Sequence, residues 1–208
     1  MSAAPFRSLA AVALPLVRDN IDTDAIIPSR EMKSVSKKGL ADGLFAGWRY
    51  TAIGGREPEP GFVLNRPEFA QAKILIGGAN FGCGSSREHA AWALAEYGFR
   101  AVIATSFNPI FRGNCVRNGI VPVELTEDGV RAIADLVEAS DGHEQVTIDL
   151  EALCVTVADR EWTFRIDDEA RRMLLFGIDA IDLTLERGAE IAAFQTADRA
   201  LRPWAYLG

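Results

Sequence analysis

Short runs of apolar residues, separated by longer mixed segments, dominate the first two thirds of the chain. Three of these runs, at 72–78, 100–105 and 121–125, are almost continuously apolar. A run of this kind and length is typical of a strand that is buried on both faces. Residues 6–17 alternate loosely between apolar and polar positions, which predicts one or two further short strands.

Helical patterns fill the segments that follow these runs. The first helix is expected from about residue 86 to 97, with Gly98 placed to end it. A second is expected over 108–119, where an Asn-Pro pair suits the cap and the first helical position. A third is expected over 126–139. Strands and helices that alternate in this way predict a mostly parallel sheet within an α/β fold.

The last third of the chain has a different pattern. Three stretches with alternating apolar positions, 144–150, 152–158 and 161–166, predict an antiparallel meander. Two helices are expected after it, over roughly 168–176 and 188–198. We find no internal repeat and no low-complexity linker, so the sequence favours one α/β domain.

Charge narrows the range of ligands. The 208 residues include 22 basic and 29 acidic residues, for a formal charge of −7, and no basic stripe is visible. This composition argues against a general nucleic-acid-binding protein. Basic residues do cluster within 29–39, in a long loop predicted over 29–65, and around Arg112 and Arg117. Such local clusters favour a small anionic ligand.

Cysteine usage suggests a reducing environment. The three cysteines, Cys83, Cys115 and Cys154, are odd in number and widely spaced, so neither a disulfide framework nor a CxxC metal site is expected. The cytoplasm is therefore the expected location. The apolar N-terminal run is broken by Pro15 and does not resemble a signal peptide. No segment is long enough to span a bilayer.

The stretch NFGCGSSREHAAWAL gathers polar side chains at the first turn of a predicted helix. Ser85 and Glu88 fit the S-x-x-E capping box, in which each side chain accepts a hydrogen bond from the backbone of the other. This structural explanation accounts for those two residues alone.

The other residues of that stretch favour an anion site. Gly82 and Gly84 allow the backbone to approach a ligand closely. Arg87 is a cation at the positive end of a helix dipole, where it is unfavourable unless an anion lies nearby. Free N–H groups at a helix N-terminus bind phosphates and carboxylates readily.

Two other chemistries fit the stretch less well. The G-x-G start of a dinucleotide motif continues into Arg87 where the last glycine should be, and no Walker sequence is present. Ser85 and His89 are spaced four apart, but nothing in the sequence orients the imidazole as the base of a hydrolase. His89 is therefore interpreted as a supporting or core residue, and His143 as a solvated turn residue.

Five further stretches accompany the serine-rich one, in order, along nearly the whole chain. They read DNIDTDAIIP, GLFAGWRY, FVLNRPEF, SFNPIFRGNCVRNGIVPV and GIDAIDLTLERGAEIAAFQ. Together the six stretches resemble the aconitase superfamily, and most of all the separate small subunits of bacterial 3-isopropylmalate dehydratases. This combined pattern is more specific than any single motif.

The resemblance implies a swivelling β/β/α domain over residues 1–208, like the mobile last domain of aconitase. It also implies a large-subunit partner, in a heterodimer or heterotetramer. In this family the large subunit carries a [4Fe–4S] cluster and most of the acid–base machinery, so no cofactor is expected on this chain. Three scattered cysteines are consistent with that division, because they cannot supply a cluster-binding set.

The resemblance also implies roles for particular residues in dehydrating and rehydrating a hydroxy diacid. Ser85 would act as the base in its alkoxide form, stabilised by helix N–H groups and nearby positive charge. Ser86 and Arg87 would hold a substrate carboxylate. Asp24 matches an active-site aspartate of the family, although its Asp-Thr-Asp run is also good turn chemistry.

One departure from the family pattern affects the substrate. Where the small subunits usually carry an Arg-Thr-Gly-Phe-like run, this chain has Lys-Lys-Gly-Leu, so Lys37 stands at the position of a carboxylate-binding arginine. Lysine cannot form the planar fork of arginine, and both lysines are equally compatible with a solvated loop. Leucine biosynthesis is the function implied first. A citramalate/citraconate or dimethylmalate dehydratase, and a non-catalytic anion-binding module, remain alternatives.

Overall fold

The computed structural model describes residues 4–32, 36–84 and 87–206, and within them eight strands form two four-stranded sheets. In chain order the strands are β1 Ser8–Ala11, β2 Ala13–Pro15, β3 Ile74–Ile76, β4 Ala101–Ala104, β5 Val121–Glu124, β6 Val146–Asp149, β7 Cys154–Val157 and β8 Arg160–Thr163.

Eight α-helices connect and follow these strands in the described part of the chain, together with several single turns of 3₁₀-helix. They are α1 Thr23–Ile26, α2 Ala46–Arg49, α3 Glu88–Tyr97, α4 Pro109–Arg117, α5 Glu127–Ala139, α6 Asp168–Phe176, α7 Ala180–Leu185 and α8 Gly188–Leu201.

The predicted parallel sheet is confirmed, with strand order β2-β3-β4-β5 and every pair parallel. Each strand is shorter than its apolar run, but pairing extends past the strand ends. The backbone N–H of Lys73 donates to Val12 O at 3.1 Å, and that of Gly77 donates to Ile103 O at 2.7 Å. Because the strand residues are almost all buried, the runs are continuous rather than alternating.

The predicted meander is also confirmed, and it forms the second sheet, in the order β1-β6-β7-β8 with antiparallel pairs. One residue, Val12, separates β1 from β2, so the chain moves from the antiparallel sheet to the parallel sheet at this point. Buried apolar side chains from both sheets, such as Leu14, Ile103, Ile148 and Val155, belong to one cluster. The fold is therefore mixed α/β, as expected.

Helix ends follow the predicted capping chemistry in two cases. Asn108 accepts from the N–H groups of Ile110 and Phe111 to begin α4, and Thr126 accepts from Gly129 N–H to begin α5. Helix α3 ends at Gly98, whose φ of 117° is left-handed, as predicted.

The start of α3 differs from the prediction. The helix begins at Glu88, and Arg87 occupies the N-cap position without a side-chain cap hydrogen bond. Its extended backbone, with φ −82° and ψ 119°, delays the helix by two residues relative to a start at Ser86. Ser85 and Ser86 lie outside the described residues.

The C-terminal helices lie at the surface. The pattern did not predict α7, and α8 extends three residues beyond the predicted end at 198. Neither helix contains a buried residue. Helix α7 is six residues long and packs only Leu183 against the core, so its apolar pattern is too short to indicate a helix. Several large apolar side chains of the two helices are exposed, among them Ile181, Leu185 and Phe194.

The loop after β3 passes so close to α4 that position 82 has no room for a side chain. A Cβ atom on Gly82 would lie 2.1 Å from Cγ of the buried Phe111 ring, and the residue has a φ of +73°. Both the space and the backbone conformation therefore require glycine here.

We expect Gly82→Ala to lower the free energy of unfolding by about 2–4 kcal/mol, because overpacking and a left-handed alanine each add a penalty. Chemical denaturation of the purified chain measures the change. Gly113→Ala is the matched control: its Cβ would meet the flexible end of Arg117 at 3.4 Å within helix α4. That variant should be neutral or stabilised by up to about 1 kcal/mol; equal losses in both variants would contradict the assignment.

Candidate active site

Three loops meet where the parallel strands β2, β3 and β4 end. The loop after β3 pairs with the loop after β2 through Asn20 N–H to Ala79 O at 2.8 Å and Gly82 N–H to Ile21 O at 2.7 Å. On its other side, Phe81 N–H donates to Ser106 O at 2.9 Å. Because ligands of open α/β sheets bind beyond the carboxyl ends of the strands, this edge is the expected location of a site.

Side chains reinforce the three loops. Asp19 Oδ1 accepts from the backbone N–H of Ala79 at 2.7 Å, and Asn80 Nδ2 donates to Asn20 Oδ1 at 2.8 Å. The hydroxyl of Ser106 accepts from Asn80 N–H at 2.8 Å. Asn20 and Asn80 have φ values of 56° and 54°, in the left-handed region that asparagine tolerates better than most residues. The edge is thus a network of short, directed hydrogen bonds.

Glycine is required at positions 82 and 84 of the serine-rich stretch for different structural reasons. Gly82 is required by its contact with Phe111. Gly84 has a φ of +89°, whereas a Cβ there would meet Asp22 at an ordinary 3.4 Å, so its backbone conformation is the requirement. The predicted role of both residues in an anion site stays a prediction.

Arg87 and Asp24, both predicted as site residues, form an ion pair. Arg87 Nη1 lies 2.6 Å from Asp24 Oδ1, and the carboxylate sits in the first turn of α1. Asp22 caps that helix by accepting from Ala25 N–H at 2.6 Å. The Asp24 carboxylate therefore supplies an anion beside Arg87 from within the chain, and the predicted anion-binding site stays a prediction. Because the two side chains are 33% and 55% exposed, the pair adds only about 0.2–1 kcal/mol of stability.

Lys37, which was predicted as a substrate-binding residue, lies over helix α3. Its Nζ donates to Asn118 Oδ1 at 3.1 Å and lies 5.1 Å from the centroid of the Trp92 ring. The same ring lies 4.7 Å from that of half-buried His89, which fits the supporting role predicted for the histidine. His143 is exposed, as expected. Lys37 is exposed, as the solvated-loop alternative expects, and it contacts both α3 and the residue that ends α4.

Glu96 is a residue that sequence reasoning missed. Its carboxylate accepts three backbone hydrogen bonds from the loop that follows Lys37, at 2.6, 2.5 and 2.9 Å. The sequence did offer one indication of its role. Glu96 lies in the last turn of α3, where the helix dipole disfavours a negative charge unless hydrogen-bond donors compensate it.

The cysteines do not form a metal site. Cys115 is buried in α4, where burial raises the pKa of its thiol, while Cys83 lies in the loop after β3 and Cys154 in β7. Within 4–32, 36–84 and 87–206, no group of three or more His, Cys, Asp or Glu side chains is placed to hold a metal ion. These residues thus do not fit an iron–sulfur cluster. None of the helices described here has the length and apolar character needed to cross a membrane.

Comparisons with known proteins show the family of this chain. The Aconitase C-terminal domain family matches residues 3–128, more than half of the chain. The 3-isopropylmalate dehydratase small subunit of Cupriavidus necator is 57% identical, over 96% of this chain and 97% of that protein. Proteins of the same name from Sinorhizobium medicae and Neisseria meningitidis are 50% and 44% identical, each over at least 96% of both chains.

A solved structure shares the fold. The crystal structure of 3-isopropylmalate dehydratase (leuD) from Methanocaldococcus jannaschii matches with a TM-score of 0.64 and 26% identity, over 89% of this chain and 98% of that one. Sequence and fold thus agree along nearly the full length. The chain belongs to the aconitase C-terminal domain family and, within it, to the 3-isopropylmalate dehydratase small subunits.

Proposed function

We propose that this chain is the small subunit of a hydro-lyase that interconverts 2-isopropylmalate and 3-isopropylmalate by dehydration and rehydration, in leucine biosynthesis. The observation that carries the proposal is identity of 44–57% to proteins named as that subunit, over nearly the full length. The whole chain, 1–208, acts as one swivelling domain in the cytoplasm.

The active site is completed by a large subunit, in a heterodimer or heterotetramer. An iron–sulfur cluster is proposed on the partner because this chain matches the separate small subunits of an aconitase-type enzyme. When bound to the partner, a [4Fe–4S] cluster would supply Lewis-acid chemistry at the substrate hydroxyl. The loop edge at the ends of β2, β3 and β4 is the surface of this chain that faces the substrate.

Arg87 binds a substrate carboxylate. A guanidinium has five N–H donors, and the pair with Asp24 uses Nη1, so the fork keeps further donors for a second carboxylate. Asp24 orients the fork and lies at the edge of the site. Ser86 adds a hydroxyl to the same carboxylate.

Ser85 takes the proton from the carbon next to a substrate carboxylate. A serine hydroxyl is a weak base, so its anion needs positive potential nearby. Backbone N–H groups at the start of α3 and the Arg87 guanidinium supply that potential, with Gly82 and Gly84 shaping the backbone. As the serine alkoxide takes the proton, hydroxide leaves from the adjacent substrate carbon. In rehydration, hydroxide from water adds to one carbon and the serine hydroxyl returns its proton to the other.

A second candidate differs in its diacid. Lys37 stands where the family pattern has an arginine, and it lies over α3 instead of extending away from it. A point charge in this place suits a citramalate/citraconate or dimethylmalate dehydratase as well.

Reconstitution with the cognate large subunit tests both candidates. We expect the pair to turn over isopropylmalate with a higher kcat/KM than citraconate or dimethylmalate, while the isolated chain shows no turnover. Preference for one of the other diacids would support the second candidate. Absence of turnover with all three would support a non-catalytic anion-binding module.

Ser85→Ala should lower kcat roughly 10²- to 10⁴-fold, the range for losing a positioned base, while assembly with the large subunit is retained. Steady-state kinetics and size-exclusion chromatography measure the two quantities. Ser8→Ala, at an exposed position of β1, is the control and should leave kcat unchanged. A Ser85→Ala enzyme with near-normal kcat would exclude the serine as the base.

Arg87→Lys should reduce kcat/KM roughly 10- to 100-fold, because it replaces a bidentate, charge-assisted contact by a point charge. Arg131→Lys is the matched control, since Arg131 forms an exposed ion pair with Glu127 on α5, at 2.6 Å. Its kcat/KM should stay within about twofold. Similar losses in both variants would show that Arg87 has no particular role in binding.

A further inference from the structure

We propose that Glu96 is a positioning residue that holds the loop of residues 37–41 against α3 and thereby places Lys37 for substrate binding. The role in binding rests on the function proposed above, whereas the contact between Glu96 and the loop does not. Glu96 Oε1 accepts from Gly39 N–H at 2.6 Å, and Oε2 accepts from Leu40 N–H at 2.5 Å and Ala41 N–H at 2.9 Å.

The loop backbone is shaped to receive a carboxylate. Gly39 has a φ of +84° and Leu40 has φ −95° and ψ −22°, so successive left- and right-handed residues turn three N–H groups toward one point. Concave arrangements of successive N–H groups of this kind bind anions. The Leu40 side chain is buried beneath them, which anchors the loop from below.

The Glu96 carboxylate is ionised, so its hydrogen bonds to the loop are charge-assisted. Burial alone would raise the pKa of the Glu96 carboxyl, but the three N–H donors and the nearby Lys38 charge act the other way and lower it on balance. The carboxylate therefore stays ionised at neutral pH. Its position in the last turn of α3 would be unfavourable without donors, and the loop supplies them.

Helix α3 links this contact to the site. Trp92 and Glu96 are four residues apart and so lie on the same face of the helix. The carboxylate holds residues 39–41, and Lys37 then reaches the Trp92 ring one turn nearer to the start of α3, where Arg87 lies. Without the contact, the lysine would lose its fixed place while the helix itself remains.

Limited proteolysis tests the contact without any activity. Trypsin cleaves after lysine, and cleavage requires the chain to leave its structure locally. We expect Glu96→Gln in the isolated chain to speed cleavage after Lys37 and Lys38 roughly tenfold, because an amide cannot accept all three bonds. Glu96→Asp should be intermediate. Glu127→Gln, which removes an exposed ion pair with Arg131, is the control and should cleave at the original rate.

Kinetics of the reconstituted pair test the positioning. Glu96→Gln should raise KM for isopropylmalate roughly tenfold and leave kcat within about threefold, and Glu96→Asp should recover part of the loss. In a Lys37→Ala background, Glu96→Gln should add little to KM, since both changes remove one contact. A residue that merely stabilised the fold would give additive effects.

The outcomes separate the two proposals. Unchanged cleavage at Lys37 and Lys38 in Glu96→Gln, with thermal unfolding unaffected, would overturn the contact. Faster cleavage with an unchanged KM, or additive effects with Lys37→Ala, would overturn the positioning role. If the wild-type pair turns over no diacid, the proposed function fails, while the cleavage rates still decide whether Glu96 holds the loop.

Discussion

Parallel pairing of β2, β3 and β4, continued by hydrogen bonds between the loops that follow them, is the constraint on which the rest of this structure depends. The loops stay in register because backbone donors of 78–83 find acceptors on both sides. Position 82 must be glycine so that this edge can lie against Phe111. With the edge formed, Asp24 and Arg87 meet although 63 residues separate them along the chain.

Helix α3 carries a charge of the disfavoured sign at each end. Arg87 stands at the positive end of the dipole and Glu96 near the negative end, and each is compensated by a partner outside the helix. The partner of Arg87 is a carboxylate at the start of another helix, whereas that of Glu96 is a row of backbone N–H groups. Glu88, in the first turn, has the favoured sign, so the unfavourable charges are those of Arg87 and Glu96, and both are bound by residues outside the helix.

This arrangement suits a site that is shared between two chains. The charged groups of the proposed site lie on an exposed edge of the sheet, where a second protein and a small diacid can both reach them. Among the described residues, Arg87 has N–H donors beyond the one used by Asp24. The relatives that this chain matches over nearly their full length are named as small subunits.

The sequence by itself determined the strands, most helices and the family of this protein. Continuous apolar runs identify β3, β4 and β5 because both faces of those strands are buried, and local chemistry places the ends of α4 and α5 because a cap acts within three residues. Helix α7 was not predictable, since its six residues place only Leu183 against the core and form no helical apolar pattern. Only the tertiary structure decided that Asp24 is the partner of Arg87 and that Lys37 lies on Trp92. It also decided that Glu96 accepts hydrogen bonds from the loop of residues 39–41. Each of these contacts joins residues far apart in the chain, and whether they meet depends on packing that no local pattern encodes.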